Sequence, residues 1–317
     1  MNGTSLRILF LNVRTRRLLH TMIVIAGGTG RLGRILVERL GALNEPIRVL
    51  SRAPEQARGF ASQKMVEVLP VDVRDPIAVG RGVAGARVVI SAMSAFGMKG
   101  VAPRDVDLGG NAALIAAAEA HGVEQFIFVS AYGASANHPM ELGRMKYHAE
   151  ERLLQSRLSW TILRPTTFTE TFQAILCAPL LDKGKTVLFG RAENPINFVS
   201  AHDVARFVER SVNDSGMKGL AIDIGGPENL SLIQFVDTFR SATGLTGSVK
   251  HIPRTAMRVL SQIARPFNPT FARMVQAGVV MDTTDMTFDA TRLIERYPDI
   301  PLTSVAAVAR RDYPRRH

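Results

Sequence analysis

The segment Met22-Ile-Val-Ile-Ala-Gly-Gly-Thr-Gly-Arg-Leu-Gly33 constrains this 317-residue chain more than any other. A short apolar run leads into glycines at 27, 30 and 33, and an apolar helical pattern follows through Ile35, Leu36, Leu40 and Leu43. Strand, tight glycine turn and helix, in that order, let the backbone approach a pyrophosphate. The helix N-terminus then turns free N–H groups and a positive dipole end toward it. The spacing is GxxGxxG, not the GxGxxG of ordinary dinucleotide dehydrogenases. A glycine-rich turn without a ligand is the alternative, and the placement between strand and helix favours the nucleotide.

The rest of the chain repeats this rhythm. Strand-like runs at Ile47–Leu50, Val66–Val71, Arg87–Ser91, Phe126–Ser130 and Thr161–Leu163 alternate with helical patterns, clearest at Asp105–His121 and Leu142–Ser156. Short apolar strands between helices predict an α/β fold with a doubly wound parallel sheet covered on both faces. Right-handed crossovers set the strand C-termini along one edge, where a cofactor binds. After Pro165 the rhythm changes. Phe168–Leu181 reads as a helix outside the sheet, and the runs beginning at Asn197 and Ala221 read as returning to it. Ser231–Ala242, Thr255–Ala264 and Asp289–Arg296 read as helices. Residues 22–165 and 197–225 are therefore expected to form the nucleotide-binding domain. Residues 166–196 and 226–317 are expected to form a smaller, mainly helical lobe that closes over the cofactor and takes a substrate or partner.

The formal charge of +11 lies largely at the ends. Residues 1–20 hold four arginines and no acid, and residues 310–317 hold four arginines against Asp312. A mildly basic body suits an anionic cofactor, whereas the stacking aromatics and basic face of a nucleic-acid module are missing. No apolar run approaches bilayer-spanning length. The single cysteine, Cys177, fits a reducing compartment, and a cytoplasmic location is expected. The histidines, His138, His148 and His202 among them, are scattered, so no metal site is expected. Residues 1–21 read as a disordered tail or an over-extended start in preference to an Arg-rich targeting or membrane-surface segment.

Several residues could carry chemistry. Where an NAD-preferring fold usually has an acid, this chain has Ser51 and Arg52, a hydroxyl donor and a planar fork suited to a 2′-phosphate, so NADP(H) is expected over NAD(H). Arg52 as an ordinary exposed arginine is the alternative. Asp72, beside Val73 at the end of the third strand, could accept from an adenine amino group or serve as a turn residue. Asp75, directly before Pro76, fits helix capping better. Ala92 and Met93, in Ser91-Ala-Met-Ser-Ala95, would let the middle of a cofactor lie against the backbone. Ser130 ends the fifth strand, and Tyr132 follows it. Lys146, in the next helix, could hold ribose hydroxyls and lower the pKa of a neighbouring donor, or be a solvated helix lysine.

The chain resembles the NmrA-like group of atypical short-chain dehydrogenase/reductases. The resemblance rests on Gly27-Gly-Thr-Gly-Arg-Leu-Gly33, Val123-Glu-Gln-Phe-Ile-Phe-Val-Ser130, Lys146 with Glu150, Trp160-Thr-Ile-Leu-Arg-Pro165, His202-Asp-Val-Ala205 and Gly225-Gly-Pro-Glu228. The stretch from Asn137 to Leu153 is also similar to NmrA-like proteins that assist photosystem assembly. The family implies a Rossmann-type sheet. It puts Gly27, Thr29, Gly30, Arg31, Leu32 and Gly33 at the pyrophosphate, Ser51 and Arg52 at the 2′-phosphate, and Asp72 and Val73 at the adenine. Ala92 and Met93 would lie along the cofactor, Ser130 and Lys146 near the ribose, and Pro165, Thr166, Thr167 and Phe168 against the nicotinamide. Asn111 falls where the superfamily often has a structural asparagine.

One departure bears on activity. The superfamily's catalytic pair is Tyr-xxx-Lys, and here Leu142 stands four residues before Lys146. Tyr147 lies roughly 100° around the helix from Lys146 and should face elsewhere. Two functions stay open. One is an NADP(H)-dependent oxidoreductase acting on a carbonyl or activated double bond, with Lys146, Ser130 and Tyr132 as catalytic candidates. The other is a non-catalytic dinucleotide-binding redox sensor or assembly factor working through protein partners. A sugar-nucleotide epimerase ranks last, because it needs the missing tyrosine. The substrate is not legible, and a monomer or homodimer is expected.

Overall fold

The computed structural model describes residues 22–60, 63–264 and 266–314, so the readings of residues 1–21 lie outside the described residues. Its strands, in chain order, are β1 (Met22–Ala26), β2 (Ile47–Ser51), β3 (Val66–Pro70), β4 (Ala86–Ser91), β5 (Gln125–Val129) and β6 (Ser159–Pro165). They continue with β7 (Thr167–Phe168), β8 (Lys185–Phe189), β9 (Ile196–Val199), β10 (Ala221–Ile224), β11 (Asn229–Leu230) and β12 (Ser248–Ile252). Seven form one parallel sheet in the order β10-β6-β5-β4-β1-β2-β3. The chain reverses its direction of winding between β1 and β4, which leaves a crevice at their C-terminal ends.

The two-residue period of β1 explains the layers. Ile23 and Ile25 join one core with Leu36 and Leu40 of the Arg31–Ala42 helix and Val204 and Val208 of the Ala201–Asn213 helix. Val24 and Ala26 point the other way, into a core with Val79, Leu114 and Leu153 from the helices Pro76–Val83, Asn111–Ala120 and Glu141–Leu154. A third core gathers Phe172, Phe198, Phe235 and Phe239 in the C-terminal region.

Three sequence readings are corrected. The run at 196–199 does not return to the large sheet. As β9 it pairs with β7 and β11 in a separate three-stranded sheet. An apolar run does not say which sheet it joins, and here a side chain decides. Asn197 Oδ1 accepts from Gly226 N and from Thr166 Oγ1, while its Nδ2 donates to Gly226 O. The single helix expected over 105–121 begins as a π-helical turn, Arg104–Gly110, before the α-helix Asn111–Ala120. The helix expected over 168–181 starts at Thr169 and contains a π-helical stretch, Gln173–Cys177. Hydrophobic periodicity is nearly blind to one extra residue per turn. Elements not anticipated include the parallel pair β8–β12 and the helices Pro76–Val83, Pro269–Met281 and Val305–Asp312.

Candidate dinucleotide and hydride-transfer site

The glycine turn sits at the end of β1 and is sterically specified. Gly27 has φ +85°, and a Cβ there would lie 2.8 Å from Ala92 O. A Cβ on Gly33 would lie 2.1 Å from Gly27 O and 2.5 Å from Gly28 Cα, so the first helical turn rests directly on the loop. Gly30 N donates to Gly27 O at 2.9 Å and closes the turn. Gly30 is also the N-cap of the Arg31–Ala42 helix, which has neither a side-chain cap nor an acid in its first turn. A backbone cradle that a Cβ would fill, facing an uncapped helix N-terminus, fits a pyrophosphate in charge and shape. Arg31 lines an adjoining 480 Å³ cleft with Arg34, Ile35, Glu170, His202, Arg311 and Asp312.

Beside the turn, Ser51 Oγ lies 3.5 Å from Thr29 Oγ1 and accepts from Ala53 N. Arg52 is exposed at the end of β2. Arg34, which the sequence reading passed over, donates to Thr29 O and to Gln56 O, fastening the 54–60 turn to the glycine loop. Its position one residue after the last glycine is the only signal that could have singled it out. Asp72 is gripped by Arg74, whose Nη2 lies 2.5 Å from Oδ2 and whose Nε is 3.0 and 3.1 Å from the two oxygens. That contact lowers the Asp72 pKa to about 2. An adenine amino group at this carboxylate would share it with Arg74. Asp75 instead caps the next helix, accepting from Ile77 N and Ala78 N.

The acid form of Asp72 is therefore disfavoured in the folded chain. Whatever stability this contact adds is fully present above the ordinary aspartate value and is lost as pH falls toward 2. An NMR titration should place the Asp72 midpoint near 2 and return it to the ordinary range in Arg74→Ala. An unchanged midpoint in that variant would sink the assignment.

Lys146 lies at the centre. Only 3% exposed, its Nζ donates to Met93 O at 2.7 Å and Val129 O at 3.0 Å, just past β4 and at the end of β5. It also lies 3.2 Å from Asp107 Oδ1 and 5.0 Å from the Phe128 ring centroid. The solvated-lysine alternative is thereby excluded. Asp107 is fully buried in the π-helical turn, and its Oδ2 accepts from Ala95 N at 2.9 Å. Burial pushes its carboxyl up, and the Lys146 ammonium opposes that shift. Asn111 supports the turn, donating to Asp107 O at 2.8 Å and accepting from Ser91 Oγ at 2.6 Å. Asp107 was missed in the sequence; the hint was its place one turn before Asn111.

Ser130, next to Val129, is buried, and its Oγ makes no hydrogen bond among the described residues. Tyr132 donates its backbone N–H to Pro165 O, and its partly exposed ring packs edge-on against Phe288 at 5.3 Å. Tyr147 turns away from Lys146 and bonds Glu151, which raises its pKa. Thr166 and the β7 residues Thr167 and Phe168 belong to the small-sheet region. Burial pushes the Cys177 thiol up to about 12, so it is no nucleophile. Among the described residues no cluster of three or more His, Cys, Asp or Glu side chains could hold a metal.

A doubly wound sheet with an uncapped glycine turn at its switch point defines a dinucleotide-binding protein. The chain belongs to the NAD(P)H-binding family, whose sequence model matches residues 27–215. It is similar to the NAD(P)H azoreductase of Xenophilus azovorans, with 25% identity over 223 residues, 70% of this chain and 74% of that protein. It is also similar to the photosystem II assembly factor Ycf39 of Synechocystis sp., with 23% identity over 278 residues, 87% and 85% of the two chains. The fold matches the NADPH-dependent quinone oxidoreductase QOR2 of Escherichia coli, solved with NADPH, at a TM-score of 0.74 and 21% identity, covering 92% of this chain and 100% of that one.

Proposed function

We propose that this protein is an NADP(H)-dependent reductase that delivers hydride to a carbonyl or activated double bond within a small conjugated molecule. The observation that carries this reading is the buried Lys146–Asp107 pair at the ends of β4 and β5, beside the unpartnered Ser130 hydroxyl. The glycine turn and the Arg31–Ala42 helix would hold the pyrophosphate and Arg52 and Ser51 the 2′-phosphate, while Lys146, whose three N–H bonds go to Met93 O, Val129 O and Asp107, would reach the ribose by exchanging one of these partners. When bound, the nicotinamide supplies the hydride. Ser130 and Tyr132 would face the negative charge that develops on the acceptor, while Lys146 adds a fixed positive field. Leu142 offers no proton, so the acceptors favoured are those whose reduced anion is spread by conjugation and protonated by water. The named activities of the azoreductase and quinone oxidoreductase relatives support this acceptor class.

Consumption of NADPH with a soluble quinone, an azo dye and an unactivated ketone tests the proposal. Turnover with the first or second and none with the third is expected. NADPH that binds and is never consumed by a conjugated acceptor would overturn it. Arg52→Ala is expected to weaken NADPH binding by about tenfold or more, the worth of one charge-assisted contact, while leaving NADH nearly unchanged. Equal losses for both nucleotides would remove Arg52 from the 2′-phosphate.

A second reading is a dinucleotide-binding assembly factor whose partner choice follows the cofactor's redox state. Leu142 and the similarity to Ycf39 over 87% of this chain favour it. Recovery of different partners with NADP⁺ and NADPH would support it, and identical recovery would count against it.

A further inference from the structure

The helices Arg254–Ala264 and Pro269–Met281 form a hairpin with two apolar faces, and among the described residues only one is covered. On the inner side, Met257 is fully buried, and a Cβ on Gly278 would lie 2.9 Å from Met257 Cε, so the two helices pack closely. On the outer side, Val259 is 58% exposed, Ile263 61%, Phe267 86% and Phe271 39%. These residues recur every fourth position across the tip of the hairpin. A soluble surface rarely collects four large apolar side chains in this way without a partner to cover them.

Charge identifies the partner. From Thr238 to Met281 the sequence has no aspartate or glutamate, while Arg254 and Arg273 lie on the two helices and Lys250 on the strand directly before them; Arg254 pairs with Asp282, just beyond the hairpin, at 3.2 Å. Lys250 and His251, on the strand leading into it, are exposed. Apolar residues projecting from a cationic, acid-free hairpin match the interface of an anionic lipid bilayer, where the rings enter the headgroup boundary and the cations stay at the charged surface. A second copy fits poorly, because two such hairpins would bring like charges together. Among the described residues no helix is long and apolar enough to cross a membrane, so the contact would be peripheral.

We infer that the hairpin tip is a docking surface for anionic membranes. This inference stands apart from the proposed reductase activity, but the two are physically joined. Arg273 donates to Val101 O and Thr270 to Met98 O. That loop follows Met93 and Ala95, the residues held by Lys146 and Asp107. Docking would therefore bring the outer loop of the site to the lipid surface.

Flotation of the full chain with vesicles tests this. The chain is expected to float with phosphatidylcholine vesicles containing one third phosphatidylglycerol and not with pure phosphatidylcholine. The double variant Phe267→Ser/Phe271→Ser should reduce the floated fraction by about tenfold with NADPH binding intact. Absence of flotation with the anionic vesicles, or equal flotation of the variant, would overturn the inference. A change confined to oligomeric state would also overturn it, assigning the face to a second copy.

Discussion

Lys146→Met is expected to lower turnover by about 10²- to 10⁴-fold, the range for a positioned charged group at a reacting centre. It is also expected to destabilise the chain by about 3–5 kcal/mol, because it strands a buried carboxylate. The reason is the setting of the lysine. Its ammonium is almost fully buried, 3.2 Å from Asp107 Oδ1 and held by two main-chain carbonyls. Removing it leaves Asp107, already pushed up by burial, without its cation, and the carboxyl should take a proton. The double variant Lys146→Met/Asp107→Asn separates the two effects. Stability should largely return, because no buried charge is stranded, while turnover stays low. Wild-type turnover in either variant would exclude Lys146 from the reaction. Restored turnover in the double variant would make the pair a structural device only.

Gly33→Ala should be nearly as damaging through a different cause. The added Cβ would sit 2.1 Å from Gly27 O and 2.5 Å from Gly28 Cα. Backbone rather than a flexible side chain opposes it, so the helix must lift off the turn. A cost of about 3 kcal/mol is expected, at the upper end for overpacking. The cradle for the pyrophosphate would be lost with it. Gly30→Ala is the internal control. Its Cβ would lie 3.2 Å from Gly27 O, and its backbone at φ −73° suits any residue. Thermal unfolding and NADPH titration should rank Gly33→Ala well below Gly30→Ala. Equal behaviour of the two would mean that close packing of the turn is not what builds the site.

The parallel sheet and the glycine turn are legible in the sequence. Short apolar runs separated by helical patterns were enough for the parallel sheet, because strands buried on both faces leave little ambiguity in type. The glycine spacing gave the turn, since each close approach demands a missing side chain. Leu142 and the orientation of Tyr147 were readable from helical geometry alone. What stayed hidden depends on contacts across long separations. Asp107, which meets Lys146 at 3.2 Å, lies in a π-helical turn, and periodicity does not reveal that turn. The destination of β9 was set by hydrogen bonds of Asn197 to the 226 loop.

One residue from each of three motifs that carried the family resemblance ties distant elements together. Glu150 pairs with Arg164 at 2.5 Å and ties the Glu141–Leu154 helix to β6. Asp203 accepts from Thr303 N and Oγ1, a hundred residues away. Glu228 accepts from Val305 N at 2.7 Å, at the start of the Val305–Asp312 helix. Only geometry separates them from Lys146.

In the proposed reading, the uncapped helix end at Gly30 and the fork of Arg52 form an NADPH site. Calorimetric titration of the purified chain with NADPH tests it most directly. Saturable binding of one nucleotide per chain, weakened in Arg52→Ala and absent in Gly33→Ala, is the expected result. A folded wild-type chain that gives no binding heat and no thermal stabilisation with NADPH would contradict it.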